Sequence, residues 1–342
     1  MPLKLPFALP TLGRKRKGPS ELLGLDIATS ALKAIRVKKT AEGIAVMSVA
    51  ALPPIKLTGE GAGEAALNLP KNLVANYTAL SLTGESAVVR ILGVPPSAGE
   101  LTDAQVREQA GLNDSYRVGS APTAPPRGKG EIKLLALGVP EAEVQAVLKL
   151  VAVGAPAPYA IEISGLAALT AFLKGPGAQH AQEAVGVIES GARVTFLALF
   201  HRGALVLVRK FDFGSESIIA KVQQQLGVDR DTAQGIVSDG SFDISQPVHE
   251  IMDPFLRQMS ISKDFVERRE DCRVVKMYVS GGTSLSRYWF DEVKNAAGTE
   301  VERWNPFASL RLAADAYPAS LAGQETRFTA VVGGCLGILD PV

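Results

Sequence analysis

The chain has 342 residues, of which 46% are hydrophobic and 21% charged, and its 36 basic residues nearly balance 35 acidic ones for a net charge of +1. Such a composition is typical of a globular protein with a large buried core, and a chain of this length usually divides into two domains. A net charge near zero excludes a protein-wide field that would attract nucleic acid.

The N-terminal residues 1–20 show no periodicity, and we predict a mobile basic tail there. Four adjacent cations in a tail each add about 1 kcal/mol of attraction near anionic headgroups, which favours peripheral membrane contact. A simply solvated tail is the alternative. The charge is carried by Arg14, Lys15, Arg16 and Lys17.

Prolines and charges interrupt every long apolar stretch, including residues 1–12 and 144–173, so we expect neither a signal peptide nor a spanning helix. Cys272 and Cys335 lie far apart and match no metal-binding spacing, which indicates the reducing cytosol. We therefore expect a cytoplasmic protein.

Two stretches of the chain share one pattern, in which two apolar strands flank a turn of small residues and a third strand follows. In the first, residues 22–27 and 31–37 flank the turn, and 44–51 follow. In the second, residues 184–188 and 194–200 flank it, and 204–213 follow. Both patterns predict β-hairpins with tight turns. Their duplication predicts two related α/β lobes.

The elements outside these hairpins were assigned from apolar periodicity and glycine stops. Between the hairpins we predict strands at 88–92 and 132–137, helices at 104–111 and 141–153, and an exposed loop at 118–130. After the second hairpin we predict helices at 217–226 and 248–269 and a strand at 274–279.

Each hairpin turn places small or hydroxylic residues beside a carboxylate. Small residues let backbone N–H groups approach phosphate oxygens, and carboxylates hold Mg²⁺ through water. A double glycine at the end of a strand likewise permits close approach of a nucleotide. Each such turn taken singly is more often a plain hairpin turn. The three loops carry Asp26, Ala28, Thr29, Ser30 and Lys33; Glu189, Ser190, Gly191, Ala192 and Thr195; and Gly281, Gly282 and Thr283.

The three loops in this order resemble the two phosphate loops and the adenosine loop of the actin-like ATPases. Within that superfamily the chain is most similar to the PilM family of type IV pilus assembly proteins, a relative of FtsA. The resemblance runs from about residue 22 to residue 339.

The resemblance implies an α/β actin-like fold, which is a duplicated ribonuclease-H-like fold with two lobes. The first lobe would span residues 21–180, with an inserted subdomain at about 51–137, and a C-terminal helix at about 328–339 would complete it. The second lobe would span residues 181–327.

The resemblance also implies ATP and Mg²⁺ between the lobes, with at most weak ATPase activity. Asp26 and Glu189 would organise the metal ion through water, and the other residues of the three loops would hold the nucleotide. Four positions depart from the family pattern, and we expect them to weaken binding: Ala28, Glu189, Gln234 and Val237.

The partner implied by the resemblance is the N-terminal cytoplasmic peptide of a PilN-like inner-membrane protein, docked between the first lobe and its inserted subdomain. The pilus motor ATPase and a second copy of the chain are further candidates. The chain would then act as a scaffold at the inner face of the inner membrane.

Three alternatives stay open: an FtsA- or MreB-like filament protein, a nucleotide-free scaffold of a type II secretion platform, and a sugar kinase of the same superfamily. We find no catalytic aspartate for a kinase. No Ser/His/Asp or Cys/His pattern indicates another enzyme.

Overall fold

The computed structural model describes residues 18–57, 67–95, 101–124, 131–151, 156–240 and 242–340. The basic run at residues 14–17 lies outside these ranges. The chain divides into two compact units, Met1–Gly175 with Pro306–Val342, and Pro176–Asn305. Residues 306–327, which we predicted in the second lobe, thus belong to the first unit.

The described residues form the following strands and helices. The strands are β1 Glu21–Ile27, β2 Leu32–Thr40, β3 Gly43–Leu52, β4 Tyr77–Leu82, β5 Val88–Val94, β6 Tyr116–Pro122, β7 Ile132–Pro140, β8 Ala157–Ile163, β9 Ala184–Ser190, β10 Thr195–His201, β11 Ala204–Phe211, β12 Val274–Ser280, β13 Glu300–Arg303 and β14 Arg311–Leu312. The helices are α1 Asp103–Ala110, α2 Glu141–Lys149, α3 Ser164–Lys174, α4 Ser215–Leu226, α5 Arg230–Asp239, α6 Ser245–Glu270, α7 Arg287–Ala297 and α8 Thr329–Leu339.

The first unit is built on a six-stranded sheet in the order β14-β3-β2-β1-β4-β8. Strand β1 is antiparallel to β2 and parallel to β4, and β4 is parallel to β8. Because parallel strands end at the same edge of a sheet, the turn after β1 and the start of α3 after β8 lie at one edge.

Helix α8 packs closely on this sheet because its sequence is rich in small residues. A Cβ atom on Gly24 of β1 would lie 2.8 Å from the Val331 side chain of α8. A Cβ atom on Gly333 would overlap the carbonyl oxygen of Ala167 in α3. The predicted C-terminal helix at 328–339 therefore completes the core of the first unit.

The inserted subdomain is a three-stranded sheet in the order β5-β7-β6, with α1 on one face. Helix α1 begins with a capping box between Thr102 and Gln105 and ends at Gly111, whose φ is 66°. The predicted start of the insertion at about 51 is wrong, because β4 pairs with β1 in the main sheet. The insertion instead begins after β4.

The predicted loop at 118–130 is also partly wrong. Residues 118–122 belong to β6, which pairs with β7 over its whole length. Pro122 and Gly119 are tolerated because β6 is an edge strand, where unpaired backbone positions are available. Residues 125–130 lie outside the described ranges.

The second unit contains a five-stranded sheet in the order β11-β10-β9-β12-β13. The core between this sheet and helices α4, α6 and α7 includes Trp289, Met252 and Ile218, which are fully buried. The order and the strand directions repeat those of β3-β2-β1-β4-β8. The predicted duplication is therefore present. Among the described helices, none is both long and apolar enough to cross a membrane.

Candidate functional site

The two predicted hairpin turns have the same geometry. In the first, the N–H of Ala28 donates to the carbonyl of Ala31 at 3.3 Å. In the second, the N–H of Gly191 donates to the carbonyl of Val194 at 2.9 Å. Each turn thus contains four residues closed by one backbone hydrogen bond, and each joins the first two antiparallel strands of its sheet.

Asp26 lies directly before the first turn and is 1% exposed. The Lys33 ammonium donates to its Oδ2 at 2.6 Å, and the Ser164 hydroxyl donates to its Oδ1 at 2.6 Å. Lys33 itself is only 8% exposed. Both carboxylate oxygens of Asp26 therefore already have a donor inside the first unit.

The residues of the first turn are more accessible than the carboxylate below them. Ala28 and Thr29 are half-buried and Ser30 is exposed. The N–H of Ala28 closes the turn, so Thr29 and Ser30 provide the groups that suit the predicted role.

A row of polar side chains continues from Asp26 across the sheet of the first unit. Ser81 pairs with Asp26, and Glu162 pairs with Ser81, in the register of β1, β4 and β8. Burial raises the pKa of Glu162 to about 8, and its Oε2 has no hydrogen-bond partner among the residues that the structure describes. Gly337 of α8 provides the space for this carboxyl group, because a Cβ there would lie 3.3 Å from Glu162 Oε1.

Two buried hydroxyl groups, on Ser190 and Thr195, flank the second turn. The Thr195 hydroxyl donates to the carbonyl of Phe213 at 2.8 Å and lies 2.8 Å from the Ser190 hydroxyl. Both residues are fully buried. Thr195, which we predicted as a phosphate ligand, is therefore engaged within the second unit. Gly191 and Ala192 are half-buried.

The predicted adenosine loop contacts the second turn through Thr283. Its hydroxyl donates to the carbonyl of Gly191 at 2.6 Å and accepts from the N–H of Ser215 at 3.1 Å. Gly281 has a φ of 84°, and a Cβ there would overlap the carbonyl of Ser190. Gly282 begins the short 3-10 helix Gly282–Leu285 that follows. The structure thus brings the predicted residues of the second unit together.

Arg303 was missed by sequence reasoning, although it supports this loop. Its Nε donates to the carbonyl of Ser284 at 2.6 Å, and its Nη2 to that of Ser286 at 3.4 Å. The guanidinium also lies 3.8 Å from the centre of the Phe290 ring. Burial lowers the pKa of Arg303. Ser164 was missed as well, because its contact with Asp26 spans 138 residues.

The two departures predicted near the adenine base lie on α5 and differ in environment. Val237 is 7% exposed and belongs to the core of the second unit, whereas Gln234 is exposed. Val237 therefore contributes packing to that core.

The donor set around Asp26 does not fit a divalent cation as it is arranged. Such an ion would have to share the carboxylate with the Lys33 ammonium at 2.6 Å. Within the described ranges, no three His, Cys, Asp or Glu side chains come together as a cation site. The assignment of Mg²⁺ to Glu189 stays a prediction.

The comparisons with known proteins identify the family. A family model described as type IV pilus assembly protein PilM matches residues 143–337. The chain belongs to the PilM family. This confirms the resemblance inferred from the three loops.

The solved structures similar to this PilM-family chain include a PilM-PilN type IV pilus biogenesis complex. The TM-score is 0.80 at 20% identity, over 94% of this chain and 100% of that one. The ethanolamine utilization protein EutJ from Carboxydothermus hydrogenoformans matches with a TM-score of 0.48 at 15% identity, over 93% and 90% of the two chains. The archaeal actin homolog Ta0583 matches with a TM-score of 0.45 at 14% identity, over 92% and 97%.

The fold prediction is confirmed. The duplicated sheets and the similarity to a PilM structure agree with the predicted α/β actin-like fold with an inserted subdomain.

Proposed function

We propose that this PilM-family protein is a cytoplasmic scaffold of type IV pilus assembly at the inner membrane, and that it binds ATP and a PilN-like peptide. The observation that carries the nucleotide proposal is the repeated four-residue turn, with Asp26 before one copy and Glu189 before the other. Turns of small residues offer backbone N–H groups to phosphate oxygens.

Both turns are candidates for phosphate contacts, through Ala28, Thr29 and Ser30 in the first turn and through Gly191 and Ala192 in the second. Glu189 would hold Mg²⁺ through water, and Gly281, Gly282 and Thr283 would contact the nucleoside. Bound Mg²⁺ would neutralise part of the phosphate charge.

Calorimetric titration of the purified protein with Mg-ATP tests this function. We expect saturable binding that Asp26→Ala abolishes, because alanine removes both oxygens that accept from Lys33 and Ser164 and so fix the first hairpin. Asp264→Ala, at an exposed position of α6, is the matched control and should bind as the wild type does. Absence of binding in a folded wild-type sample would instead identify a nucleotide-free scaffold.

The similar solved structure is a PilM-PilN complex, which is our reason to propose a PilN-like partner here. An extended peptide binds by adding a strand to an exposed sheet edge. The inserted subdomain has two edge strands, β5 and β6. On β6, the carbonyl of Tyr116 accepts from Arg107 at 3.0 Å and Pro122 lacks an N–H, so this edge is partly blocked.

Strand β5 is therefore the edge that we propose for the peptide. Its side chains Val89 and Ile91 are half-buried and lie on the same face of the strand. An apolar peptide side chain packed beside them would bury surface that is now partly exposed. The basic tail at residues 14–17 would add membrane contact.

Binding of a synthetic PilN N-terminal peptide, followed by fluorescence anisotropy, tests this site. We expect Ile91→Lys to weaken binding at least about tenfold, since it places a charge beside an apolar peptide. Ser120→Lys on β6 is the matched control on the opposite edge. If Ser120→Lys loses binding and Ile91→Lys keeps it, the peptide binds at β6 instead. The same assay with a motor ATPase would test that further partner.

A further inference from the structure

We infer that the Lys33 ammonium, rather than a divalent cation, supplies the counter-charge of Asp26, so that Lys33 and a metal ion compete for this carboxylate. The metal assignment at Asp26 rests on the proposed nucleotide-binding function only in the ADP experiment. It replaces the assignment of Mg²⁺ to Asp26 that the sequence suggested.

The hairpin itself places the two charges opposite each other. Asp26 and Lys33 are paired residues in the antiparallel register of β1 and β2, so their side chains lie on the same face of the sheet. The ammonium and carboxylate approach to 2.6 Å, and neither residue is more than 8% exposed. The pairing of β1 with β2 thus holds the two charges in contact.

The second carboxylate oxygen of Asp26 is held from another part of the first unit. Ser164 is the first residue of α3, and its hydroxyl donates to Oδ1 at 2.6 Å. The N-terminus of a helix carries partial positive charge, which also favours an anion there. Lys33 and Ser164 therefore each occupy one oxygen of Asp26.

The equivalent position in the second unit has a different neighbour. Glu189 is opposite Phe196 in the register of β9 and β10, where Asp26 is opposite Lys33. The duplicated hairpins thus retain a carboxylate in both copies but place a lysine opposite only one of them. The strand register thus gives Asp26, but not Glu189, a lysine directly opposite it.

Competition follows from the space and charge around Asp26. A divalent cation bound to this buried carboxylate, directly or through water, would bring two positive groups close together unless the Lys33 ammonium left its position. Removing the ammonium should therefore create a cation site at Asp26. Its removal should not strengthen binding of a cation elsewhere.

Titration of the full-length protein with Mn²⁺, followed by electron paramagnetic resonance, tests this competition. We expect Lys33→Met to bind Mn²⁺ at least about tenfold more tightly than the wild type. The double variant Lys33→Met with Asp26→Asn should lose that gain. Lys38→Met, at an exposed position of the same strand, should match the wild type. Equal or weaker Mn²⁺ binding by folded Lys33→Met would overturn the inference.

A second measurement keeps the test decisive if Lys33→Met does not fold. The affinity for ADP is measured with Mg²⁺ and with EDTA, in the wild type and in Asp26→Asn. We expect the ratio of the two affinities to agree within about twofold between the proteins, because Asp26 is not the metal ligand. If Mg²⁺ strengthens ADP binding to the wild type and this effect disappears in Asp26→Asn, the inference is overturned. Failure of the wild type to bind ADP would contradict the proposed function, and the Mn²⁺ comparison would still decide this inference.

Discussion

Asp26 and Glu189 occupy equivalent positions in two copies of one hairpin. Each lies two positions before the first residue of its turn, which is Ala28 or Gly191. On the next strand, Asp26 is opposite Lys33 and Glu189 is opposite Phe196. Each is also paired with a serine on the neighbouring parallel strand, Ser81 for Asp26 and Ser280 for Glu189. Duplicated backbones therefore present the same acidic position twice, with different surroundings.

Glu162 makes stability depend on pH. Its pKa in the folded protein is about 8 because of burial, against an ordinary value of 4.5, so the folded state retains a proton that the unfolded chain loses. Stability should be fully present below pH 4.5 and fall as the pH rises to about 8, by on the order of 4 kcal/mol.

We therefore expect Glu162→Gln to remove this fall. Urea unfolding of the variant between pH 5 and about pH 9 should show a flatter profile than the wild type and greater stability at the alkaline end. Glu108→Gln, at an exposed site on α1, should keep the wild-type profile. Parallel profiles for wild type and Glu162→Gln would show that Glu162 ionises normally.

Two glycine-to-alanine substitutions should have opposite effects on stability. Gly333→Ala adds a methyl group that overlaps the carbonyl of Ala167, and neither helix backbone can move away cheaply, so a loss of about 3 kcal/mol is expected. Gly235→Ala in α5 adds a methyl group that has no heavy atom of the described ranges within 4 Å, and should stabilise by about 0.5–1 kcal/mol. Thermal unfolding of both variants measures the difference, and a stable Gly333→Ala would contradict the close packing of α8.

Arg303→Lys should loosen the Gly281–Ser286 loop. Lysine has one charged head and cannot reproduce the paired hydrogen bonds to Ser284 and Ser286 or the stacking on Phe290. We expect about 1 kcal/mol of destabilisation and faster amide exchange confined to this loop. Hydrogen-exchange mass spectrometry reports it, with exposed Arg273→Lys as control. Unchanged exchange in the loop would mean that Thr283 suffices to hold it.

His249 should titrate above its ordinary range. Its Nδ1 lies 2.8 Å from Glu292 Oε2, and this hydrogen bond raises the pKa of the imidazole because it favours the charged ring. Glu292→Gln should therefore lower the pKa of His249, as followed by NMR of the ring protons. The same titration in Glu108→Gln should leave it unchanged. A pKa insensitive to Glu292→Gln would show that the pair does not persist in solution.

The hairpins could be predicted because their signals are local. Small residues between apolar runs indicate a tight turn. The turn predicted at 28–30 is one residue shorter than the observed turn at 28–31, and this extra residue is what places Asp26 opposite Lys33. The helix ends at Gly111 and Gly227 could also be predicted, because glycine readily adopts the left-handed conformation found there.

The remainder depended on contacts that local patterns do not carry. The sequence prediction includes β4 in the insertion, because the sequence of this strand does not indicate that it pairs with β1. Strand β6 was hidden by its proline and small residues, which an edge strand tolerates. Ser164 reaches Asp26 across 138 positions, so its role in the site follows only from the folded chain.

The division of the chain also bears on the order of folding during synthesis. The second unit is continuous, Pro176–Asn305, whereas the first needs residues from both ends of the chain. Helix α8 packs on β1 and α3, so the first 175 residues leave the ribosome without the segment that covers part of their core. The second unit can complete its fold while that surface is still exposed. The N-terminal segment of the first unit therefore depends on a helix that is made after the second unit, and a chain truncated before α8 should be prone to chaperone binding and aggregation.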